Sequence, residues 1–523
     1  MKDLLVKVLI EGANTSFKPL GKLNAVKKYI TLFKTLELNN EVVALITTSK
    51  RVQEIFQIAC LLQGINYIII NENSYDEFLL VNLAVKIVMY NSSEIDFIPS
   101  ELFDVTSVVI VIDALTCKIV RTTEEYRFVY NAVDETLAKT VESNESIESF
   151  KQRYVKIYNQ SRVYVKHPGV STLGSKISIF YSEAFKLGAL NVIEKLYYEI
   201  KSKNLLSGNQ QINMYCLESP AYPHVFLNSV FLALFTKGQV NYSECPFNVL
   251  FTSVSSLSIL FNRIVEDSYI LSLLPHTNIL FKYIFKYIIN TRFKHLKLII
   301  LYGKTDKRVR QLINYTGKHI IYLYSMTEVA SFVSFEYYKK LPVNKIPTVG
   351  ILNSNVVLNS GSKAEAEVLI DTEDRFASYT NIEFTKICST SEKYAGMHGT
   401  LDIAKNVEGK LQVLGKADEI YYNEHGLRLQ SDLINSIALD SRYIKDVLIT
   451  ASKGKLVLLV EIKISVLLSE EKTVDQIQLL LNTNLLYKIN KKVQNYSHIS
   501  RIIIIPGGFT REIDGKIKCI NYL

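Results

Sequence analysis

Residues 41–70 read EVVALITTSKRVQEIFQIACLLQGINYIII. Glu41–Thr47 is a short β-branched apolar run, the composition of a strand covered on both faces. In Arg51–Leu62 the apolar residues Val52, Ile55, Phe56, Ala59 and Leu62 recur at spacings that put them on one face of a helix. Gly64 ends that helix, and Tyr67–Ile70 is a second buried strand. A strand, a helix and a strand in so short a stretch form the crossover unit of a parallel sheet.

The alternation extends outward. Asp76–Leu83 has a helical pattern, Lys86–Tyr90 is extended, and Val105–Asp113 is another buried strand. Arg162–Lys166 reads as a strand, with a helix from about Ser182. Leu296–Tyr302 and His319–Tyr324 are further buried strands, separated by a basic helix at Asp306–Tyr315. Beyond Gly350 the strands become shorter and turn-rich, as at Val368–Asp371 and Leu411–Leu414. From Asp432 helix and strand alternate again: Asp432–Leu439 helix, Asp446–Thr450 and Lys455–Ile462 strands, Val474–Leu481 helix, Arg501–Ile505 strand. The pattern predicts an α/β protein with a doubly wound sheet and a compact α+β unit at the end.

The chain has 523 residues, enough for two to four domains at ~100–200 residues each. Hydrophobic residues make up 48% and charged residues 21%, which excludes disordered, collagen-like and disulfide-scaffold classes. The net charge of +9 is mild for this length, and no arginine-rich stripe or aromatic platform accompanies it, so no nucleic-acid partner is expected. The six cysteines (Cys60, Cys117, Cys216, Cys245, Cys388, Cys519) show no metal-ligand or redox spacing and read as reduced core thiols. Met1–Leu4 lacks the apolar core of a signal peptide. Val225–Phe235 and Ile279–Ile289 are shorter than the ~20 residues of a membrane span, and Asn228, Lys282 and Lys286 interrupt them. The expectation is a cytoplasmic protein with no membrane partner.

Chemistry concentrates in three segments. Tyr322–Val329 (YLYSMTEV) carries a buried strand into a polar corner, and ligands of open α/β sheets sit at the carboxyl ends of strands. A threonine hydroxyl and a carboxylate there suit a phosphate with its magnesium. His398–Leu429 holds Thr400-Leu401-Asp402, Gly415-Lys416-Ala417-Asp418 and Gly426-Leu427-Arg428-Leu429. The tail holds Asp514-Gly515-Lys516 after Pro506-Gly507-Gly508. Taken singly these are caps and turns.

Their order and spacing resemble the adenylate-forming superfamily: acyl-CoA synthetases, adenylation domains of nonribosomal peptide synthetases, and luciferases. That family's Tyr-Gly-x-Thr-Glu, Thr-Gly-Asp, Gly-Arg-x-Asp, Gly-x-Arg-Ile and terminal Gly-Lys appear here, in that order, as YSMTE, TLD, GKAD, GLRL and GK. Thr348-Val349-Gly350 is similar to the family's Val-Gly turn, and ACLLQGINYIIIN to its helix–Gly–strand element, so the likeness spans the chain. It implies a large N-terminal domain of stacked α/β sheets with a β-rich subdomain over residues 1–418. A small mobile α+β C-terminal domain would cover 419–523.

The resemblance also implies roles. Tyr324 would stack on adenine, Thr327 contact phosphate, Glu328 hold magnesium, and Asp402 bind the ribose hydroxyls. Lys416 stands where the family has arginine near the ribose; it keeps the charge and loses the planar fork. Asp418 would be the hinge, Gly426 would border a pantetheine tunnel, and Lys516 would reach the substrate carboxylate and α-phosphate. The implied activity is adenylation of a carboxylic acid with ATP and Mg²⁺, then thioester formation on coenzyme A or a carrier protein. Lys304, Lys307, Arg308 and Arg310 form a basic helix that reads as a solvated face or a docking patch for an acidic carrier protein.

The departures carry expectations too. Gly169–Ile177 (GVSTLGSKI) aligns with the family's phosphate loop through Thr172 and Lys176. Val170, Leu173 and Ile177 replace its glycines, which predicts weaker or reshaped binding of the β- and γ-phosphates. Ser325 replaces the usual glycine and would narrow the acyl pocket. His224, in SPAYPHVF, is similar to the family's substrate-side histidine. No aspartate stands there to pair with an α-amino group, which favours an acyl or aryl acid over an amino acid. The competing expectation is a catalytically weak or non-catalytic binding protein with the same fold.

Overall fold

The computed structural model describes residues 8–9, 21–38, 41–70, 77–91, 108, 110–122, 161–166, 176–206, 211–243, 246–274, 276, 278–351, 355–359, 365–371, 373, 375, 377–381, 387–389, 397–416, 429, 431–439, 441–452, 455–464 and 472–510. Helix α1 (Gly21–Thr35) precedes strand β1 (Val42–Ile46), helix α2 (Lys50–Gln63) and strand β2 (Asn66–Ile70). The opening stretch therefore folds as read. Ser49 caps α2 by accepting from the Val52 amide, and Gly64 closes it at φ 67°. β1 and β2 pair in parallel, Val43 opposite Tyr67.

β3 (Val85–Tyr90), β4 (Ile110–Asp113), β5 (Ile119–Thr122), β6 (Arg162–Lys166) and β7 (Lys176–Tyr181) extend this sheet. β3 and β4 continue the parallel pairing. β5 and β7 run antiparallel, so the expected doubly wound centre has antiparallel flanks.

Helix α3 (Ser182–Asn191) leads to the second sheet: β8 (Asn213–Cys216), β9 (Gln239–Asn241), β10 (Val249–Ser253), β11 (Leu298–Tyr302), β12 (His319–Tyr324) and β13 (Ser334–Tyr338). Its order is β13-β12-β11-β10-β8-β9. All pairs are parallel except β12–β13. Helices α4 (Val254–Glu266), α5 (Tyr269–Leu273), α6 (Ile279–Arg292) and α7 (Lys307–Thr316) belong to it. One core joins the two sheets, from Val43 and Leu45 through Phe185, Phe226 and Phe231 to Phe251 and Ile300. A side-chain relay crosses the same seam: Ser219 donates to Gln53 at 2.7 Å, and Gln53 donates to the Thr47 carbonyl at 3.0 Å. Arg310 is not part of the basic outer face. It is buried, donating to the carbonyls of Thr305 at 2.5 Å and Val343 at 3.0 Å.

β14 (Val356–Asn359) and β15 (Ala366–Ile370) open the turn-rich region. β16 (Ser378–Asn381) and β17 (Ile387–Ser389) return to the first sheet. β18 (His398–Val407) and β19 (Lys410–Lys416) complete a small sheet ordered β14-β15-β18-β19. The last sheet is β20 (Ile444–Ser452), β21 (Lys455–Ile462) and β22 (Ile499–Ile504). Helices α8 (Ser431–Leu439) and α9 (Val474–Leu480) pack on it around Ile434, Ala438, Leu458, Val460 and Ile502. The layout is a large stacked α/β unit with a β-rich sheet, followed by a small α+β unit. Cys60, Cys117 and Cys216 are buried free thiols. No described helix is long and apolar enough to cross a membrane.

Candidate active site

β12 delivers Tyr324 to the carboxyl edge of the second sheet, and the next residues turn back to start β13. The turn is pinned from behind. Ser325 donates to the Ser331 carbonyl at 3.0 Å, and the Asn228 amide donates to the same carbonyl at 2.9 Å. Asn191, at the end of α3, donates to the Ser331 hydroxyl at 2.9 Å. A Cβ at Gly188 would stand 2.7 Å from Leu227 Cδ1 and 3.4 Å from Ser331 Cβ, so glycine lets α3 approach the corner. Sequence reading missed Asn191 and Asn228 as positioning residues. The available signal was a lone asparagine inside an apolar run, as at Asn228.

The second segment meets this corner directly. The Tyr324 hydroxyl donates to Asp402 Oδ2 at 2.6 Å. Lys416 Nζ lies 3.0 Å from Asp402 Oδ1 and also donates to the Thr400 carbonyl at 3.0 Å. Sheet register explains the ion pair, since Asp402 and Lys416 face each other across β18 and β19. Thr400 orients Asp402 by accepting from its amide at 3.0 Å while donating to the Val368 carbonyl at 2.9 Å. Burial, and then the Asp402 carboxylate, push the Tyr324 hydroxyl well above its usual range. It is therefore a neutral donor at any ordinary pH.

Leu401 sits between these two residues at φ 58°, in the left-handed region. This is the middle of the TLD stretch, where the family pattern has glycine. A leucine there costs about 1–2 kcal/mol, and at 49% exposure its packing returns little of that. Leu401→Gly is expected to stabilise the protein by about 0.5–1 kcal/mol after the added freedom of the unfolded chain is subtracted. Urea denaturation measures it, and an unchanged or lower midpoint would contradict the reading.

Thr327 and Glu328 are half-buried in the corner, and the Glu328 carboxylate contributes to the upward push on the Tyr324 hydroxyl. Among the described residues no three His, Cys, Asp or Glu side chains gather as a metal cage. A magnesium held by one carboxylate, a hydroxyl and substrate phosphates needs no such cage. The oxygen donors of Thr327 and Glu328 fit that ion.

His224 is buried, with its ring 6.0 Å from Tyr222 and edge-on to Tyr302 at 5.4 Å. Tyr302 ends β11, the strand paired with β12, so His224 stands at the same edge of the sheet as the corner. Lys176 starts β7. Thr172, Asp418, Gly426 and Lys516 lie outside the described residues.

No protein-family model matches the chain, and no curated protein sequence is detectably similar to it. Solved structures are similar over nearly the whole length. The anthranilate CoA ligase AuaEII in complex with anthranoyl-AMP matches with a TM-score of 0.70 at 12% identity, covering 99% of this chain and 96% of that one. ATP-bound MatB from Rhodopseudomonas palustris matches at 0.66 and 14% identity, over 95% and 91% of the two chains. O-succinylbenzoate coenzyme A synthetase (MenE) from Bacillus subtilis, in complex with AMP, matches at 0.62 and 13%, again over 95% and 91%. This chain therefore shares the fold of these CoA ligases over nearly its whole length.

Proposed function

We propose that the protein uses ATP to convert a carboxylic acid to an acyl-adenylate, and then transfers the acyl group to the thiol of coenzyme A or of a carrier-protein pantetheine. The observation that carries this reading is the junction of Tyr324, Asp402 and Lys416 at the carboxyl edge of a parallel sheet. An ionised carboxylate offers about four acceptor positions. Tyr324 and Lys416 occupy one each, which leaves two, one for each hydroxyl of a ribose. The Tyr324 ring beside them supplies an apolar face for a base.

Both reactants are anions, so the corner must offset their repulsion. Glu328 and Thr327 would hold magnesium, which would supply charge neutralisation on the phosphates. Thr172 and Lys176 contact the polyphosphate. Lys516 would offset the charge of the substrate carboxylate and the α-phosphate as the carboxylate oxygen attacks phosphorus and pyrophosphate leaves. The thiol then attacks the acyl carbon, with Gly426 bordering its path, and AMP leaves. Two half-reactions in one cleft require rearrangement between them. On this proposal 1–418 would be the nucleotide-binding domain and 419–523 a small mobile domain, with Asp418 as the hinge.

Two of the similar structures are named for aryl acids, anthranilate and O-succinylbenzoate. With no aspartate in the SPAYPHVF segment around His224, they support an aryl or acyl acid as substrate.

ATP–pyrophosphate exchange across a panel of acyl, aryl and amino acids tests the proposal. Exchange with an acyl or aryl acid is expected, and Lys516→Ala should lose at least about 10-fold of it while still binding ATP. Absence of exchange with every acid, together with absence of ATP binding, would sink the enzyme reading. ATP binding without exchange would favour the second reading, a non-catalytic homologue, for which the loss of glycines at Val170, Leu173 and Ile177 is the specific motive.

A further inference from the structure

Helix α6 (ILFKYIFKYIINTR) is apolar around most of its circumference, yet the fold covers one side. Phe281, Phe285 and Ile289 are fully buried. On the opposite side Ile279, Tyr283 and Tyr287 are 70%, 63% and 72% exposed, with Leu280 beside them. These residues repeat every fourth position and form a continuous outer stripe. The short α5 adds exposed Tyr269 and Leu273. A helix apolar on all sides is ordinarily covered on all sides, and a contiguous exposed apolar patch marks an interaction surface.

Charge indicates what covers it. Lys282 and Lys286 are exposed and run along one edge of the stripe. From residue 268 to residue 305 the sequence has no Asp or Glu, and six Lys or Arg. A second copy of the chain packed on this face would bring two positively charged surfaces together, with no Asp or Glu from residues 268–305 to pair with the lysines. Tyrosine and aliphatic side chains on a convex helix, bordered by lysines, match the chemistry of a bilayer surface. Rings sit at headgroup level, and ammonium groups reach lipid phosphates.

We propose that the α5–α6 face docks the protein on an anionic phospholipid surface, lying in the interface without spanning it. This replaces the expectation of no membrane partner, which rested on the shortness of Ile279–Ile289 and its lysines. Those features exclude a span and suit an interfacial helix.

Vesicle flotation with the full-length protein tests this, using phosphatidylcholine alone against phosphatidylcholine with phosphatidylserine. Flotation with the phosphatidylserine vesicles only is expected, falling as salt rises. Lys282→Gln with Lys286→Gln should lower the partition coefficient roughly 10-fold or more. Tyr283→Ser with Tyr287→Ser should lower it at least as much. Both variants should keep the parent's melting temperature and ATP–pyrophosphate exchange. A parent that floats with neither vesicle overturns the proposal, as would parent-like flotation of both variants. A concentration-dependent doubling of mass that the tyrosine variant abolishes would assign the face to self-association and also overturn it.

Discussion

Asp402→Ala is expected to lower ATP–pyrophosphate exchange roughly 10²–10³-fold, mostly through the KM for ATP. Asp402 is buried and already holds Tyr324 at 2.6 Å and Lys416 at 3.0 Å, and on the proposed reading its two remaining acceptor positions serve the ribose. Removing the carboxylate deletes two charge-assisted bonds to the ribose, each worth about 1.5–2 kcal/mol. At about 1.4 kcal/mol per tenfold, this sum gives the stated loss. The same change leaves the buried Tyr324 hydroxyl without its acceptor, which costs a further ~1–2 kcal/mol in the folded state. A lowered melting temperature should therefore accompany the kinetic effect. Tyr324→Phe separates the two contributions. It frees one position on Asp402, keeps the ring, and should raise the KM less than Asp402→Ala does. A KM for ATP unchanged in folded Asp402→Ala protein would remove the ribose role.

The βαβ unit around α2 was legible because each element is locally complete: a β-branched run, a single apolar helical face and a terminating glycine. His319–Tyr324 and Lys455–Ile462 were legible for the same reason, and both strands span those residues. Motif order pointed to the corner, but its joining was not readable. The Tyr324–Asp402 contact links residues 78 positions apart, and only pairing among β12, β18 and β19 brings them together. Tyr324 had been expected to present its ring, whereas its hydroxyl also fixes the carboxylate. Leu401 conceals its conformation, since nothing in leucine signals a positive φ. α6 shows the limit of periodicity. The sequence reveals how apolar a helix is on each side, and only the packing reveals which side the fold covers.

Gly350→Ala is expected to cost about 4 kcal/mol or more, a large fraction of the ~5–15 kcal/mol that stabilises a typical domain. Gly350 has φ 107°, and a Cβ there would fall 2.1 Å from the Phe335 carbonyl oxygen and 2.8 Å from its carbon. That neighbour is backbone and cannot swing aside. Phe335 is held in β13 opposite Leu323 of β12, one residue before Tyr324. On the other side the Leu411 amide donates to the Gly350 carbonyl at 2.9 Å, and the Val349 amide donates to the Leu411 carbonyl at 2.8 Å. Gly350 therefore lies between the strand pair that carries Tyr324 and the β18–β19 pair that carries Asp402 and Lys416. One methyl group must either separate the two or break both backbone bonds. The left-handed φ costs about 1–2 kcal/mol, and each lost bond adds about 1 kcal/mol. Displacing the buried neighbours Val349 and Leu411 accounts for the remainder. Gly409→Ala is the control. Its φ is 80°, but a Cβ there meets nothing within 4 Å, so only the conformational cost of about 1–2 kcal/mol applies. Denaturant midpoints for the two variants should differ by at least about 2 kcal/mol in stability, with Gly350→Ala also losing ATP affinity as the corner opens. Equal losses at the two glycines would mean that the turn relaxes without parting the sheets, and that Gly350 does not hold the two halves of the site together.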